Sequence, residues 1–365
     1  MAQTVVVGLG RSGEGAARLL QATGHPVAVI DSGQSEQLEK KAEGLRQQGV
    51  EVQLQAPLAI DSFRPWLDQL QRVVISPGVP WDHPTLDDLR QRGVAVDGEM
   101  AVAWDALKHI PWVGITGTNG KTTVTHLLSH VLCQAGLAAP MGGNMGVSAA
   151  EMALTLQQKH TAAPDWLVME LSSYQIEAAD RIRPRIGIWT TLTPEHLERH
   201  GTVEAYRAIK RGLLERSDHA IFNADDPDLR QQRQSWTGGT WVSAESAQPD
   251  GQPADLWINS EGWVCDRSQP LFPAEALAMP GAHNRQNLLL VTAAARQIGL
   301  SPASIAAGLR SFPGVPHRLE PVGRIGNAQV FNDSKATNYD AAAVGLKAMQ
   351  GPVVVLAGGS TKQGD

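Results

Sequence analysis

The sequence predicts an α/β protein of more than one domain, and three observations carry that prediction. Short β-branched runs alternate with helix-like stretches from Thr4 to about Val96, and a second alternating series begins at Pro111. A third, shorter series follows Pro313. At 365 residues the chain is also too long for one ordinary core.

The first series consists of TVVVG at 4–8, PVAVI at 26–30 and RVVIS at 72–76, with helices expected over 13–23, 35–48 and 82–92. That order reads as a parallel sheet flanked by helices. The second series runs through PWVGITGTNGKTT at 111, DWLVMELSS at 165 and RIGIWTTLT at 185, and starts a new α/β domain. Residues 234–281 are rich in Gly, Pro, Ser and Trp, so short strands and loops are expected there, followed by a helix over 283–298. The last series reads as a hairpin, LEPVGRI then AQVFND, a helix over 339–349 and a strand in GPVVVLAGG. One βαβ unit cannot bury both faces of a sheet, so this third domain is expected to be unfinished at Asp365. The expected division is 1–106, 107–313 and 314–365.

Bulk properties narrow the function. A hydrophobic share of 42% against 19% charged residues is a globular balance. A net charge of −6 provides no general field for nucleic acid or anionic lipid, so a phosphate-bearing ligand needs local groups. The N-terminus MAQTVVVGLG lacks the pattern of an export signal, and no apolar run is long enough to cross a bilayer. Cys133 and Cys265 form no disulfide framework or metal spacing; both read as packing residues in a reducing, cytoplasmic compartment.

The motifs supply those local groups. Gly8, Gly10 and Gly13 form G-x-G-x-x-G between a strand and a helix, with Asp31 ending the next strand. Alone, this pattern points to a dinucleotide, but the same backbone suits any nucleotide diphosphate, or only a tight turn. GITGTNGKTT at 114–123 places Lys121 and Thr122 where a phosphate-binding loop puts its lysine and its magnesium hydroxyl. The spacing departs from the strict pattern, with Ile115 where a glycine is expected and G-x-x-G-K-T running from Gly117. ATP is the expected ligand. Glu170 ends a strand and is either a magnesium ligand or an ordinary strand-end acid. His196 and His200 share a helical spacing, but Leu197 stands where a zinc protease needs glutamate, so solvated or capping histidines are expected instead. Lys210 reads by itself as an exposed helix lysine. NDSKATN at 332–338 and GGSTK ending at Lys362 read as solvated loops or, beside a phosphate loop, as the receptor of an anionic second substrate.

Taken together, GTNGKTT, GGNMG, ELSSYQ, TPEHLERHG, GAHNRQN, PHRLE and NDSKATN resemble the Mur ligases over residues 1–365. The resemblance implies three domains: an N-terminal Rossmann-like domain for a UDP sugar, a central P-loop ATPase-type domain, and an incomplete C-terminal Rossmann-like domain for the incoming amino acid. It implies an ATP-dependent ligase that joins D-glutamate to UDP-N-acetylmuramoyl-L-alanine, with UDP and not NAD at the first loop. By position, Gly10, Arg11, Ser12, Asp31, Ser76, Asn144 and His196 would face the UDP-muramoyl-alanine. Gly117, Thr118, Asn119, Gly120, Lys121, Thr122, Thr123, Asn284, Asn287, Arg318 and Asp333 would face ATP. Lys335, Thr337 and Lys362 would face D-glutamate. Thr122 and Glu170 would hold one magnesium ion, and His196 with a carbamylated Lys210 a second. Lys121, Glu170, His196 and Lys210 would carry the chemistry. The implied partners are small molecules only, with no nucleic acid and no membrane, and a monomer is expected.

A carboxylate is a poor electrophile, so an acyl phosphate made from ATP is the expected intermediate, and phosphoryl transfer needs positioning and charge neutralisation more than a protein nucleophile. The rival readings are a UDP-muramoyl-peptide binder made non-catalytic or poorly active by a missing C-terminal end, a nicotinamide oxidoreductase, and a ligase for another amino acid.

Overall fold

A computed structural model describes residues 3–158, 162–336, 339–349 and 351–358. The first strands are β1 (Gln3–Val7), β2 (Val27–Ile30), β3 (Glu51–Gln53), β4 (Leu70–Ile75) and β5 (Ala95–Gly98), with helices α1 (Arg11–Ala22), α2 (Glu36–Arg46), α3 (Pro84–Gln91) and α4 (Glu99–Leu107). All four strand pairings are parallel, in the order β3-β2-β1-β4-β5. Helices cover both faces, so Val5 and Val6, which point to opposite faces, are both fully buried. The order reverses between β1 and β4, and the crevice beyond their C-terminal ends is where open α/β sheets bind ligands. The helix α1 starts at Arg11, not Gly13, because Gly10 is its N-cap. The sequence reading otherwise placed α2 and α3 to within two residues and named no helix at α4.

Further along lie β6 (Trp112–Thr116), α5 (Lys121–Gln134), β7 (Met141–Gly143), α6 (Ala149–Gln158), β8 (Leu167–Glu170), α7 (Ser173–Glu177), β9 (Ile186–Trp189), α8 (Leu197–His200) and α9 (Val203–Glu215). Then come β10 (His219–Asn223), α10 (Pro227–Gln231), β11 (Thr240–Ser243), β12 (Leu256–Ile258), β13 (Trp263–Asp266), β14 (Gln269–Pro273), α11 (Ala282–Ile298) and α12 (Pro302–Arg310). The chain ends in β15 (Glu320–Ile325), β16 (Ala328–Asn332) and α13 (Tyr339–Lys347).

These elements form two compact units. The first comprises 1–116, 138–187 and 194–219; the second comprises 117–137, 188–193 and 220–365. In the first unit, β8 pairs in parallel with both β6 and β7, and α1, α4 and α6 pack on one another. In the second, β10, β11 and β12 are parallel, β13 and β14 continue antiparallel, and α5 packs on α11 and α12. The expected hairpin forms as β15 and β16.

Two expectations fail. The apolar run in 351–358 is not a strand; no ladder partner occurs among the described residues, and Val354 and Leu356 are 91% and 98% exposed. Cys265 is buried, as a packing residue should be, but Cys133 is exposed near the end of α5.

A buried acid lies at the meeting of three helices in the first unit. Glu99 opens α4, is 1% exposed, and its Oε1 accepts from Ala150 N at 2.7 Å, while Oε2 is buried with no hydrogen-bond partner. Burial raises its pKa to about 7, against the hydrogen bonds from Ala150 and Ser148 and the charge of Arg11. Because the folded-state pKa is the higher one, its contribution to stability is complete below about 4.5 and is lost as pH rises through about 7. Glu99→Gln keeps the acceptor and removes the charge. We expect it to raise stability above pH 7 by about 1–3 kcal/mol, read from urea midpoints. Equal midpoints for the two proteins at pH 8 would refute this account.

Candidate active site

At the switch point of the first sheet, the Gly-rich loop is held by side chains and not merely by its turn. Gly8 has φ +93°, and Ser76 Oγ, at the end of β4, donates to its carbonyl at 2.9 Å. Asp31 accepts Leu9 N on Oδ2 at 2.5 Å and Gly33 N on Oδ1 at 2.7 Å. A Cβ at Gly13 would sit 1.8 Å from Gly8 O, whereas one at Gly10 would meet nothing within 4 Å. So Gly13 serves close packing, and Gly10 leaves the α1 N-terminus, which has no side-chain cap, open toward an anion. Arg11 Nη2 donates to Asn144 O at 3.3 Å, bringing the GGNMG loop to this face; Ser12 follows Arg11 in the first turn of α1.

That second loop leads to Glu170. Asn144 donates its backbone N to Glu170 O and its Nδ2 to Glu170 Oε1, both at 2.9 Å. A Cβ at Gly143 would lie 2.3 Å from Glu170 O, so only glycine permits the approach. Glu170 is 2% exposed, far from an ordinary strand-end acid.

The strongest departure from the sequence reading is Lys210. Read as exposed, it is 1% exposed, with Nζ 3.4 Å from Thr116 Oγ1 and 4.5 Å from the Tyr206 ring centroid. It lies on the inward stripe of α9 with Tyr206, Leu213 and Leu214. The rings of His196, Tyr174, His200 and Tyr206 follow one another at 5.1, 5.3 and 5.5 Å. His196 takes a left-handed conformation, φ +57°, as the N-cap of α8 but makes no side-chain cap bond. His200 is buried, against the expectation of a solvated ring, with Nε2 2.9 Å from Ser173 Oγ. Arg199 reaches Val79 O at 3.1 Å and Glu177 Oε2 at 3.0 Å. Sequence reasoning missed Tyr174, Arg199 and Tyr206; the spacing of Tyr206 and Lys210 on one helix face was the available signal.

Burial, followed by the charges of Arg199, His196 and Lys210, lowers the His200 pKa to about 4. The folded-state value is the depressed one, so stability is intact above about 6.5 and is lost as pH falls toward 4. His200→Gln, which does not titrate there, is expected to lose about 1–3 kcal/mol less than the parent between pH 7 and 4.5. Parallel acid-unfolding curves would dismiss this assignment.

In the second unit, Gly117 and Gly120 have φ +146° and +87°, values that only glycine takes without strain. Gly120 is the N-cap of α5, and Lys121 Nζ donates to Gly117 O and Thr118 O, each at 2.8 Å. Thr122 and Thr123 fill the first turn of α5. A cavity of about 350 Å³, within the usual range of about 300–1,000 Å³ for small-molecule sites, is lined by Asn119, Gly120, Thr123, Asn287, Arg318 and Asp333, with Asn223, Asp226 and His283. Asn284 does not line it; it is buried behind, accepting Asn287 Nδ2 at 3.2 Å. Burial, helped by the Arg318 charge, lowers the pKa of His283.

Arg318 is presented by a strained turn, with φ +62° at His317 and +43° at Leu319. Asp333 Oδ1 accepts Leu319 N at 3.1 Å, and His317 O accepts Lys335 N at 3.1 Å, so PHRLE and NDSKATN form one structure. A Cβ at Gly345 would lie 2.6 Å from Asp333 Oδ2, which makes room for α13 beside the acid. Lys335 is half-buried and does not line the cavity; Thr337 and Lys362 lie outside the described residues.

Residues 2–98 match the family described as Mur ligase MurD-like, N-terminal domain, and residues 115–295 match the Mur ligase middle domain. The chain belongs to the Mur ligase family. It is 97% identical, over all 365 residues, to the UDP-N-acetylmuramoylalanine–D-glutamate ligase of Parasynechococcus marenigrum strain WH8102, covering 79% of that relative's length. It is 68% identical to the enzyme of the same name from Synechococcus sp. strain CC9605, again over 365 residues and 79% of its length. Among solved structures, a murein peptide ligase from Psychrobacter arcticus superposes with TM-score 0.57 at 21% identity, over 95% of this chain and 75% of that one. The UDP-N-acetylmuramate-alanine ligase of Thermotoga maritima gives TM-score 0.57 and 21% identity, over 95% and 77%. These Mur ligases share the fold. The second unit's loop is thereby read as part of an ATP-dependent ligase.

Proposed function

We propose that this Mur ligase joins D-glutamate to UDP-N-acetylmuramoyl-L-alanine in the cytoplasm, as a monomer, with the three-domain division 1–106, 107–313 and 314–365. What carries the reading is identity of 97% across the whole chain to a ligase of that name. The switch-point loop, open at Gly10, suits a UDP diphosphate at the α1 N-terminus, and the cavity of the second unit suits ATP. No helix among the described residues is long and apolar enough to cross a membrane.

In this reading Lys121 neutralises the phosphates, and Asn287, Arg318 and Asp333 orient the nucleotide. The alanyl carboxylate attacks the γ-phosphorus, ADP leaves, and an acyl phosphate forms. The D-glutamate amine then attacks the acyl carbon, losing a proton as phosphate departs. Lys335, Thr337 and Lys362 receive D-glutamate. Asn144 and His196 hold the muramoyl-alanine end.

The donor set fits magnesium. Such ions are commonly held by one or two carboxylates plus substrate phosphates, and Glu170 is a buried carboxylate. No group of three or more His, Cys, Asp or Glu side chains among the described residues would hold a metal alone. Thr122 and Glu170 are the proposed ligands of one ion, and His196 with carbamylated Lys210 those of a second. Bound magnesium would neutralise charge on the transferring phosphoryl group.

The test is phosphate release with UDP-N-acetylmuramoyl-L-alanine, ATP and magnesium, with and without D-glutamate, together with the mass of the product. D-glutamate-dependent phosphate with the matching amide supports the reading; amide formation with L-alanine or diaminopimelate in its place refutes it.

A further inference from the structure

The loop 117–120 is gripped by a run of threonines, Thr190, Thr191 and Thr193, to which the sequence reading gave no role. Thr191 Oγ1 accepts from Asn119 N at 2.9 Å and donates to Asn119 O at 3.2 Å, so one hydroxyl satisfies both backbone groups of one loop residue. Thr190 Oγ1 donates to the same carbonyl. Thr118 N donates to Thr191 O at 2.8 Å, and the Thr118 hydroxyl exchanges hydrogen bonds with the backbone of Thr193, both at 3.0 Å. The fit is tight: a Cβ at Gly117 would lie 1.9 Å from Thr190 Oγ1.

The threonine run is itself anchored. Thr190 O accepts from Asn223 Nδ2 at 3.0 Å, and Leu192 N donates to Asp226 Oδ2 at 2.8 Å. The other oxygen of Asp226 caps α10 by accepting Leu229 N at 3.0 Å, and the acid is 6% exposed. A buried carboxylate fixed at both oxygens is a rigid foundation.

We propose that Thr191 is a positioning residue for the nucleotide, its hydroxyl setting the Asn119 peptide and hence the turn of the phosphate loop; this rests on reading that loop as the ATP site. The physical need is plain. A loop with glycines at 117 and 120 has little conformational preference of its own. Without a brace, the ordering of its backbone would be charged against ATP binding, and preorganisation removes that cost. Asn119 lines the cavity, so a shift of its peptide moves the wall that faces the ligand.

The experiment compares Thr191→Val, which keeps the shape and removes the hydroxyl, with Thr191→Ser, which keeps the hydroxyl. Thr191→Val is expected to raise KM for ATP about ten-fold, with kcat and KM for the UDP substrate changed less than about two-fold, and Thr191→Ser should stay within about two-fold of the parent. If circular dichroism shows the valine variant unfolded, Thr191→Ala carries the same readout. An unchanged KM for ATP in the hydroxyl-free variant overturns the proposal, as do equal losses for both substrates, the mark of a general structural role. Lys121→Ala is assayed alongside by ADP titration. Undiminished ADP binding there overturns the loop reading and this proposal with it; loss there, with no loss in the hydroxyl-free variant, overturns the brace alone.

Discussion

Lys121→Ala is expected to lower kcat/KM for ATP by about 10³-fold, the order seen when a preorganised group facing developing charge is removed. Lys121 is the first residue of α5, and its ammonium reaches back over the loop to the carbonyls of Gly117 and Thr118. A cation held there would serve two ends in the proposed reaction: it would offset phosphate charge, and its hydrogen bonds hold the loop. Lys121→Gln keeps a hydrogen-bond donor and removes the charge, and so separates them, since a purely conformational role would be partly restored. Both variants should bind the UDP substrate as the parent does. Phosphate release within ten-fold of the parent in either variant would remove Lys121 from the chemistry.

The second large effect is expected at Lys210. Lysine is seldom fully buried, because taking an ammonium out of water is costly, yet Lys210 is enclosed beneath Thr116 and Tyr206. A side chain with an unprotonated amine reacts with carbon dioxide, and the carbamate would convert the site from cationic to anionic. Lys210→Ala should lower kcat by about 10³-fold, and Lys210→Arg should be equally damaged, because a guanidinium keeps its charge and forms no carbamate. Added bicarbonate should raise the activity of the parent and of neither variant. Intact mass under native conditions should show one added carbon dioxide. An active Lys210→Arg would sink the carbamate, and a fully active Lys210→Ala would sink the role altogether.

What was legible in the sequence follows the range of the forces involved. The strands and helices around G-x-G-x-x-G could be placed because their periodicity and glycines are local, and Asn287, Arg318 and Asp333, which line one cavity of the second unit, were singled out through motifs read as blocks. Burial of Lys210 was not legible in composition, because on helix α9 a lysine between Ile209 and Arg211 has the composition of a solvent face, and burial of His200 on α8 depends on Ser173, far off in sequence. The threonine run read as the tail of a strand, since its hydroxyl partners lie far away at Thr118 and Asn119. Asp226 carries a local signature as the cap of α10, but its second bond, to Leu192, comes from a segment distant in sequence. The last apolar run has strand composition but no strand partner among the described residues.

Asp31 occupies the place where a dehydrogenase keeps the acid that grips the adenosine ribose and chooses between two nicotinamide cofactors. Here each of its oxygens already accepts a main-chain amide, from Leu9 and from Gly33. The familiar exchange of that acid for a basic residue, which retunes cofactor choice in such enzymes, would in this protein unfasten the turn that it was meant to decorate. Altering what the first domain accepts must therefore start from the open side at Gly10, leaving the hinge pin at Asp31 in place.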